Sequence, residues 1–268
     1  MKFKIAFTDI DGTLLNKERE IDEITRREVN RISPEIPFIL ISSRMPSAMF
    51  HLQRDLNIEG LPIICYNGGL ILVDNKPIHS TEIPIDVHSV IADVAKENPF
   101  HISLYNNDDW YVPSMDFWAK REENNTKVSP KIETTENVIS EWKHLQKGAH
   151  KIMCMGEEQA IDMIFNYLKL NHSDVLHLYR SKPTYLEIAS KQISKLTAIE
   201  TLLNNSFPNF SLKESIAFGD NYNDMEMLEA VGFGVAVQNA KPEVLKIANA
   251  ITETNHNHGV ALAIEKYL

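Results

Sequence analysis

The sequence predicts an α/β fold: a parallel-sheet core interrupted by a second domain of α+β character. Three observations carry this. Short apolar segments alternate with amphipathic helical segments at both ends of the chain. The apolar segments end in acidic or polar residues, as strands do when they feed a site at the carboxyl edge of an open sheet. From about residue 83 to residue 190 the alternation gives way to hairpins mixed with helices, the pattern of a separate layer. The expected division is therefore a core of residues 1–82 and 191–268 with an inserted domain of residues 83–190.

Length and composition agree with a protein that buries a sizeable core. The 268 residues allow one large domain or two of ordinary size. The 43% hydrophobic and 24% charged content is that of a globular chain. A formal net charge of -10 argues against nucleic acid or an anionic membrane as the main partner. An anionic substrate would need a local cationic patch or a metal. The two cysteines, Cys65 and Cys154, lie far apart in apolar stretches and form neither a disulfide framework nor a metal-ligand spacing. That usage fits a reducing compartment, and a cytoplasmic location is expected. Asp9 and Asp11 interrupt any signal-peptide core, and no apolar run approaches the roughly 20 residues of a membrane span.

In chain order, Phe3, Ile5 and Phe7 alternate within Lys2 to Phe7, which predicts a strand with one buried face. It runs into Asp9-Ile10-Asp11-Gly12-Thr13. At a period of two, both carboxylates project to the same side, and Gly12 lets the chain turn away. Two anions this close call for a cation or a proton between them, and oxygen-only ligands suit a hard divalent ion such as Mg2+. A helix from Asp22 to Ser33 ends at Pro34 and Pro37. Pro37 to Ile41 is a continuous apolar run, as in a strand covered on both faces. It ends in Ser42-Ser43-Arg44, and Pro46 opens a helix with Met49, Leu52 and Leu56 on one face. Ser42, Ser43 and Arg44 offer hydroxyl, backbone and guanidinium donors to an anion, although serines at such a position also serve as simple caps. A third strand, Pro62 to Tyr66, ends in Asn67-Gly68, and Leu70 to Val73 and Lys76 to Ile78 form a hairpin around Asp74-Asn75.

The middle segment reads as a helix from Asp86 to Glu97, strands at Phe100 to Tyr105 and Asp109 to Val112, and helices near Phe117 and over Val138 to Leu145. A strand at His150 to Met155, a helix from Glu157 to Leu170, and a strand pair at Val175 to Arg180 and Tyr185 to Ala189 complete it. Trp110, Trp118, His101, Tyr179 and Arg180 are candidates to face a substrate, though such residues more often pack. The core pattern then returns. Ser194 caps a helix with Leu196, Ile199, Leu202 and Leu203 inward. Lys195 occupies its first turn, where the helix dipole disfavours a cation unless an anion lies in front of it. Ser215 to Phe218 is a buried strand ending in Gly219-Asp220-Asn221-Tyr222-Asn223-Asp224. A strand at Gly234 to Val237, a helix from Pro242, a short strand at Ala250 to Thr252 and a closing helix from Val260 finish the chain.

The joint occurrence of Asp9/Asp11, Ser42, Lys195 and Asp220/Asp224 in this order resembles the four core motifs of haloacid dehalogenase superfamily phosphatases. The resemblance is to the Cof-like branch, which carries a large α+β cap between its second and third motifs, and it extends over essentially the whole chain. It implies a Rossmann-like core with residues 83–190 as the cap. It also implies an Mg2+-dependent phosphomonoesterase working through an aspartyl-phosphate, with sugar phosphates and related small metabolites as substrates. Asp9 would be the nucleophile and Asp11 the acid and base. Asp9, the Asp11 carbonyl, Asp220 and Asp224 would hold the metal. Ser42, Ser43, Arg44, Asn67, Gly68, Lys195 and Asn223 would surround the phosphoryl group and substrate. Two positions depart from the usual pattern: the second motif commonly reads Thr-Gly-Arg, and the lysine is commonly followed by glycine where Leu196 stands here. A phosphomutase and a catalytically silent sugar-phosphate-binding protein are the alternatives. A phospho-accepting receiver domain would be about half this length and would lack the inserted domain.

Overall fold

The computed structural model describes residues 3–268, apart from the side chain of Ser181. Lys2, which the alternating pattern assigns to the first strand, lies outside the described residues. The chain forms two compact units, Met1–His79 with Ser194–Leu268, and Ser80–Ile193. In chain order the elements are β1 (Ile5–Thr8), α1 (Glu23–Ile32), β2 (Phe38–Ile41), α2 (Ser47–Asp55), β3 (Ile63–Cys65), β4 (Leu70–Val73) and β5 (Lys76–Ser80). They continue with α3 (Ile85–Glu97), β6 (His101–Asn106), β7 (Asp109–Val112), α4 (Phe117–Thr126), β8 (Lys131–Ile132), α5 (Thr135–Leu145), β9 (Lys151–Met155), α6 (Glu158–Asn171), β10 (Leu176–Lys182) and β11 (Tyr185–Ser190). Then come α7 (Lys195–Ser206), β12 (Ser215–Gly219), α8 (Met225–Ala230), β13 (Phe233–Val237), α9 (Pro242–Ile247), β14 (Ala250–Thr252) and α10 (Gly259–Tyr267).

The first unit carries an eight-stranded sheet in the order β14-β13-β12-β1-β2-β3-β4-β5. Pairing is parallel from β14 through β3, and β4 turns antiparallel on β3. β1 and β2 are buried along their whole length. For β1 this corrects the expectation of one buried face: it lies between β12 and β2, with Ala6 and Thr8 as buried as Ile5 and Phe7. Helix crossovers cover both faces of a parallel sheet, so small residues can fill the positions that alternation leaves for polar ones. The sharp reversal from β4 to β5 places Asp74 and Asn75 at φ of 50° and 58°, as a primed hairpin turn requires.

The second unit is a six-stranded sheet in the order β10-β11-β9-β6-β7-β8, antiparallel except between β7 and β8. Ile102, Leu104, Ile152, Cys154, Leu186 and Ile188 share a core with Val87 and Ile91 of α3, Trp142 of α5, and Ile161, Ile164 and Leu168 of α6. The two-residue strand β8 has no counterpart in the periodicity, since two residues carry no period. Both cysteines are buried, and neither is in a disulfide among the described residues. Among the described residues no helix is long and apolar enough to cross a membrane.

Helix α7 begins as its sequence dictates. Ser194 accepts from the Thr197 N–H, and Thr197 returns a bond to the Ser194 N–H. Its inward face is Lys195, Ala198, Ile199, Leu202 and Leu203, whereas Leu196 is only partly buried, contrary to the periodicity. The start of α7 lies close against the turn after β3. Gly68 has φ of 108°, and a Cβ there would stand 2.7 Å from the Ser194 carbonyl oxygen. Gly60 has a comparable φ of 87° but nothing within 4 Å of a Cβ. Gly68→Ala should therefore destabilise the protein by about 2 to 4 kcal/mol, and Gly60→Ala by about 1 kcal/mol, in urea denaturation. Equal losses would mean that backbone strain, and not the contact with α7, accounts for both.

Candidate active site

The carboxyl ends of β12, β1, β2 and β3 are neighbours in the sheet, and each delivers a polar turn to the same edge. β1 delivers Asp9, whose N–H donates to the Phe218 carbonyl of β12 at 3.0 Å. An irregular turn, Ile10–Leu14, follows and closes through the Leu15 N–H on the Ile10 carbonyl, 3.1 Å. β12 delivers Asp220, which accepts from the Thr13 hydroxyl at 2.9 Å. Gly12, at φ of 90°, brings its backbone so close that a Cβ would meet Asp220 Oδ2 at 2.6 Å.

Lys195 joins these turns. It is 1% exposed, and its Nζ lies 2.5 Å from both Asp9 Oδ1 and Asp224 Oδ1. A buried ammonium is tolerable only when it is paired and hydrogen-bonded. The two carboxylates are the anions that the position of Lys195 in the first turn of α7 called for. Burial opposes its charge, but Asp224 and Asp9 outweigh burial and raise its pKa. Asp224 is fully engaged: Oδ1 holds Lys195, and Oδ2 accepts from the Asp220 and Asn221 N–H groups, each at 2.9 Å. Gly219 makes room for that loop, because a Cβ there would stand 2.6 Å from the Cβ of Asp224.

The remaining predicted residues fall into two smaller groups. Asp11 is partly exposed and does not belong to the carboxylate cluster. Arg44 grips it with Nε and a terminal nitrogen at 2.7 and 2.8 Å, while its other terminal nitrogen donates to the Ala48 carbonyl at 3.1 Å. Arg44 is 7% exposed. Its planar fork therefore meets a carboxylate of this chain, where the sequence pattern suggested an anionic ligand. Arg19 also approaches Asp11, at 3.4 Å. The second group is Ser42, Asn67 and Asn223. The Ser42 carbonyl accepts from the Asn67 N–H at 2.8 Å, and Asn223 donates to Asn67 Oδ1 at 3.1 Å. Ser42 Oγ accepts from the Arg44 N–H at 3.2 Å, so it does cap its own turn. Ser43 is partly buried beside it. Gly68 has the steric role already described.

In the second unit, His101 is buried between Asp116 and Ser103, at 2.8 Å each. Trp110 is buried and stacked on Tyr105, and Arg180 is paired with Asp162 and the Pro183 carbonyl. His101 and Trp110 are packing residues within their unit, and Arg180 is partly buried. Trp118 lies edge-on to Tyr185, and Tyr179 lies beside His177; both are partly buried.

The chain matches the sequence pattern of the haloacid dehalogenase-like hydrolases over residues 6–264. It belongs to that family. A Haemophilus influenzae protein provisionally named a phosphatase is 32% identical over 99% of this chain and 98% of its own. The 5-amino-6-(5-phospho-D-ribitylamino)uracil phosphatase YitU of Bacillus subtilis is 27% identical, with 97% and 95% of the two chains covered. Among solved structures, a haloacid dehalogenase-like hydrolase from Bacteroides thetaiotaomicron superposes with a TM-score of 0.88 at 28% identity, covering 99% and 100% of the two chains. The subclass IIB sugar phosphatase BT4131 superposes with a TM-score of 0.81 at 20% identity, covering 98% of each, and shares the fold. The chain is thus a phosphatase of the Cof-like branch, with the α/β Rossmann-like core of these hydrolases.

Phosphatases of this family generally use a divalent metal ion, and the residues fit one. Asp9, Asp220 and Asp224 each offer a carboxylate oxygen, all within 4.8 Å of one another. Neither Asp9 Oδ2 nor Asp220 Oδ2 accepts a hydrogen bond from the described residues. The cluster is also short of positive charge. Burial pushes Asp9 well above the usual carboxylate range; Lys195 opposes this, while Asp224 and Asp220 add to it. Burial and then the Asp224 charge push Asp220 up to about 6, against the Thr13 hydroxyl and Lys195. An all-oxygen donor set with surplus negative charge is the chemistry of a hard cation site.

Sequence reasoning placed Thr13 in the first motif without a role and passed over Arg19, Asn239 and Asn255. Asn239 could have been found by the rule that located the others, since it follows the carboxyl end of β13. The raised Asp220 value has a consequence for stability. Between its ordinary 3.8 and about 6, the folded metal-free hydrolase keeps a proton that the unfolded chain has lost. This group's contribution to stability is then lost as pH rises through that window. Relative to wild type, metal-free Asp220→Asn should gain stability steadily from about pH 4 to pH 7 in thermal melts. A difference independent of pH would show that Asp220 is ionised throughout.

Proposed function

We propose that the hydrolase is an Mg2+-dependent phosphomonoesterase that transfers the phosphoryl group of a small metabolite, a sugar phosphate foremost, to Asp9 and then to water. One observation carries this reading. Lys195 joins Asp9 and Asp224, from opposite ends of the chain, at the sheet edge where Asp220 completes a cation-binding set. Such a site binds a metal and a phosphoryl group together.

Asp9 attacks phosphorus in line, the bond to the leaving oxygen breaks, and an aspartyl-phosphate forms. Asp11 gives a proton to the leaving alkoxide. It takes one back from the water that attacks phosphorus and cleaves the Asp9 oxygen–phosphorus bond, releasing inorganic phosphate. The first half needs Asp11 protonated, and the Arg44 fork, which donates to both its oxygens, suits the ionised, proton-accepting form that the second half needs. Lys195 neutralises the nucleophile's surroundings. Ser42, Ser43 and Asn223 donate to phosphoryl oxygens as charge spreads over them, and the turn at Asn67 holds Asn223 in place. Mg2+ would be held by the Asp9 and Asp220 carboxylates and the Asp11 carbonyl, where it neutralises phosphoryl charge. With both its oxygens occupied, Asp224 acts through an intervening water or through Lys195.

The inserted unit, expected over residues 83–190 and spanning Ser80–Ile193 in the structure, serves as the cap that selects the leaving group, with Trp118 and Tyr179 as its candidate specificity residues. YitU, a relative over nearly the whole chain, is named for a phosphorylated ribityl compound, and BT4131, alike in fold, is a sugar phosphatase. Two outcomes test the reading. Asp9→Asn should lose turnover of p-nitrophenyl phosphate by at least about a thousandfold while keeping its circular dichroism spectrum; wild-type turnover in that variant would remove Asp9 as nucleophile. In a screen of phosphorylated metabolites, activity should vanish with EDTA and return with Mg2+. Activity that survives chelation would exclude the metal.

A further inference from the structure

We infer that Asn239 is a positioning residue of the phosphatase site: its carboxamide clips the turn carrying Asp11 and so sets where that carboxyl group stands. The proposal rests on the reading of Asp11 as the acid and base.

The turn Ile10–Leu14 leaves β1 without regular geometry: Asp11 has ψ of 113° and Gly12 φ of 90° within it. A segment of this kind is held by contacts from elsewhere or it wanders. Asn239, 227 residues away, donates from Nδ2 to the Gly12 carbonyl at 2.8 Å. Its Oδ1 accepts from the Asn255 N–H at 2.9 Å, so both ends of one exposed carboxamide are committed. Asn255 is 7% exposed, and its Nδ2 donates to the Leu15 carbonyl at 2.7 Å. The two asparagines thus take up the Gly12 and Leu15 carbonyls of the turn, and one holds the other.

The segment that carries Asn239 also touches the second acidic turn. The Lys241 N–H donates to the Asp220 carbonyl at 2.9 Å. Gly12 is then confined between the Asp220 carboxylate, against which no Cβ would fit, and the Asn239 amide. Asp11 directly precedes Gly12. Its side chain is fixed by Arg44, and its backbone is fixed by this clip. Loss of the clip leaves the nucleophile in place, because Asp9 is held through its own N–H and Lys195. It releases the residue two positions on.

The test is the dependence of kcat/KM on the leaving group. β-Glycerol phosphate needs its leaving alkoxide protonated, whereas p-nitrophenyl phosphate does not. Asn239→Ala and the isosteric Asn239→Asp, which keeps the acceptor for Asn255 and loses the donor to Gly12, should each lose at least about tenfold on β-glycerol phosphate, within the range of a general acid's contribution. On p-nitrophenyl phosphate both should lose less than about threefold, with the inhibition constant of inorganic phosphate unchanged. Wild-type values in both variants would overturn the proposal. So would a loss confined to Asn239→Ala, which would trace the effect to Asn255. Equal losses on both substrates with weaker phosphate inhibition would make Asn239 a phosphate contact instead. Asp11→Asn is the reference: if it shows no leaving-group dependence, the acid assignment itself is wrong.

Discussion

The site depends on one buried charge. Lys195 has almost no contact with water, and an unpaired ammonium in such a place would cost several kcal/mol. Two carboxylates compensate it, one from each end of the chain. This couples folding to assembly of the site: the first strand, the helix after the second unit and the loop after β12 must all arrive for any of the three charges to be satisfied. The pairing is unequal as well. The cluster holds three carboxylates and one lysine, and the raised Asp9 and Asp220 values express the remainder. A divalent cation would supply the missing charge, so the family's chemistry and the site's own electrostatic balance make the same demand.

Much of this was legible in the sequence, for reasons that differ by element. Asp9, Asp220 and Lys195 could be read because each breaks a local rule. Two acids end buried apolar runs, and a lysine stands where a helix dipole repels it. The capping of α7 by Ser194 and the hairpin at Asp74-Asn75 could be read because local chemistry alone decides them. The burial of β1 could not. Whether Ala6 and Thr8 face solvent depends on which strands flank β1, and β12 lies some 200 residues on in the chain. Leu196 was misplaced for a related reason: the inward face of α7 is set by the Lys195 ion pairs and the close approach at Gly68, and Ala198 takes the position a larger residue could not.

Arg44 shows where residue type was informative and partner was not. A guanidinium at a strand-to-helix turn announces an anion, and the anion is a carboxylate of the same chain. The same holds for the turn asparagines. Asn67 pairs with Asn223, which joins the end of β3 to the loop after β12, two strands that are not neighbours in the sheet. Side-chain amides can make such joints because each offers donors and an acceptor on one rigid plane.

These joints explain how a site built on turns can be rigid enough for catalysis. Strand ends fix Asp9, since its N–H still belongs to the ladder with β12. Two residues further on, that support has ended. Asp11 must be positioned by groups that its own segment does not contain: Arg44 after β2, and Asn239 after β13 with Asn255 behind it. Asp11 is therefore the member of the site most exposed to changes elsewhere in the sheet, and Asp9 the least. On the proposed assignment, a substitution near β13 that leaves Asp9 untouched would act on protonation of the leaving group before it acted on phosphoryl transfer. Selectivity among leaving groups would then be partly a property of the core, where periodicity shows only a buried strand and a polar loop.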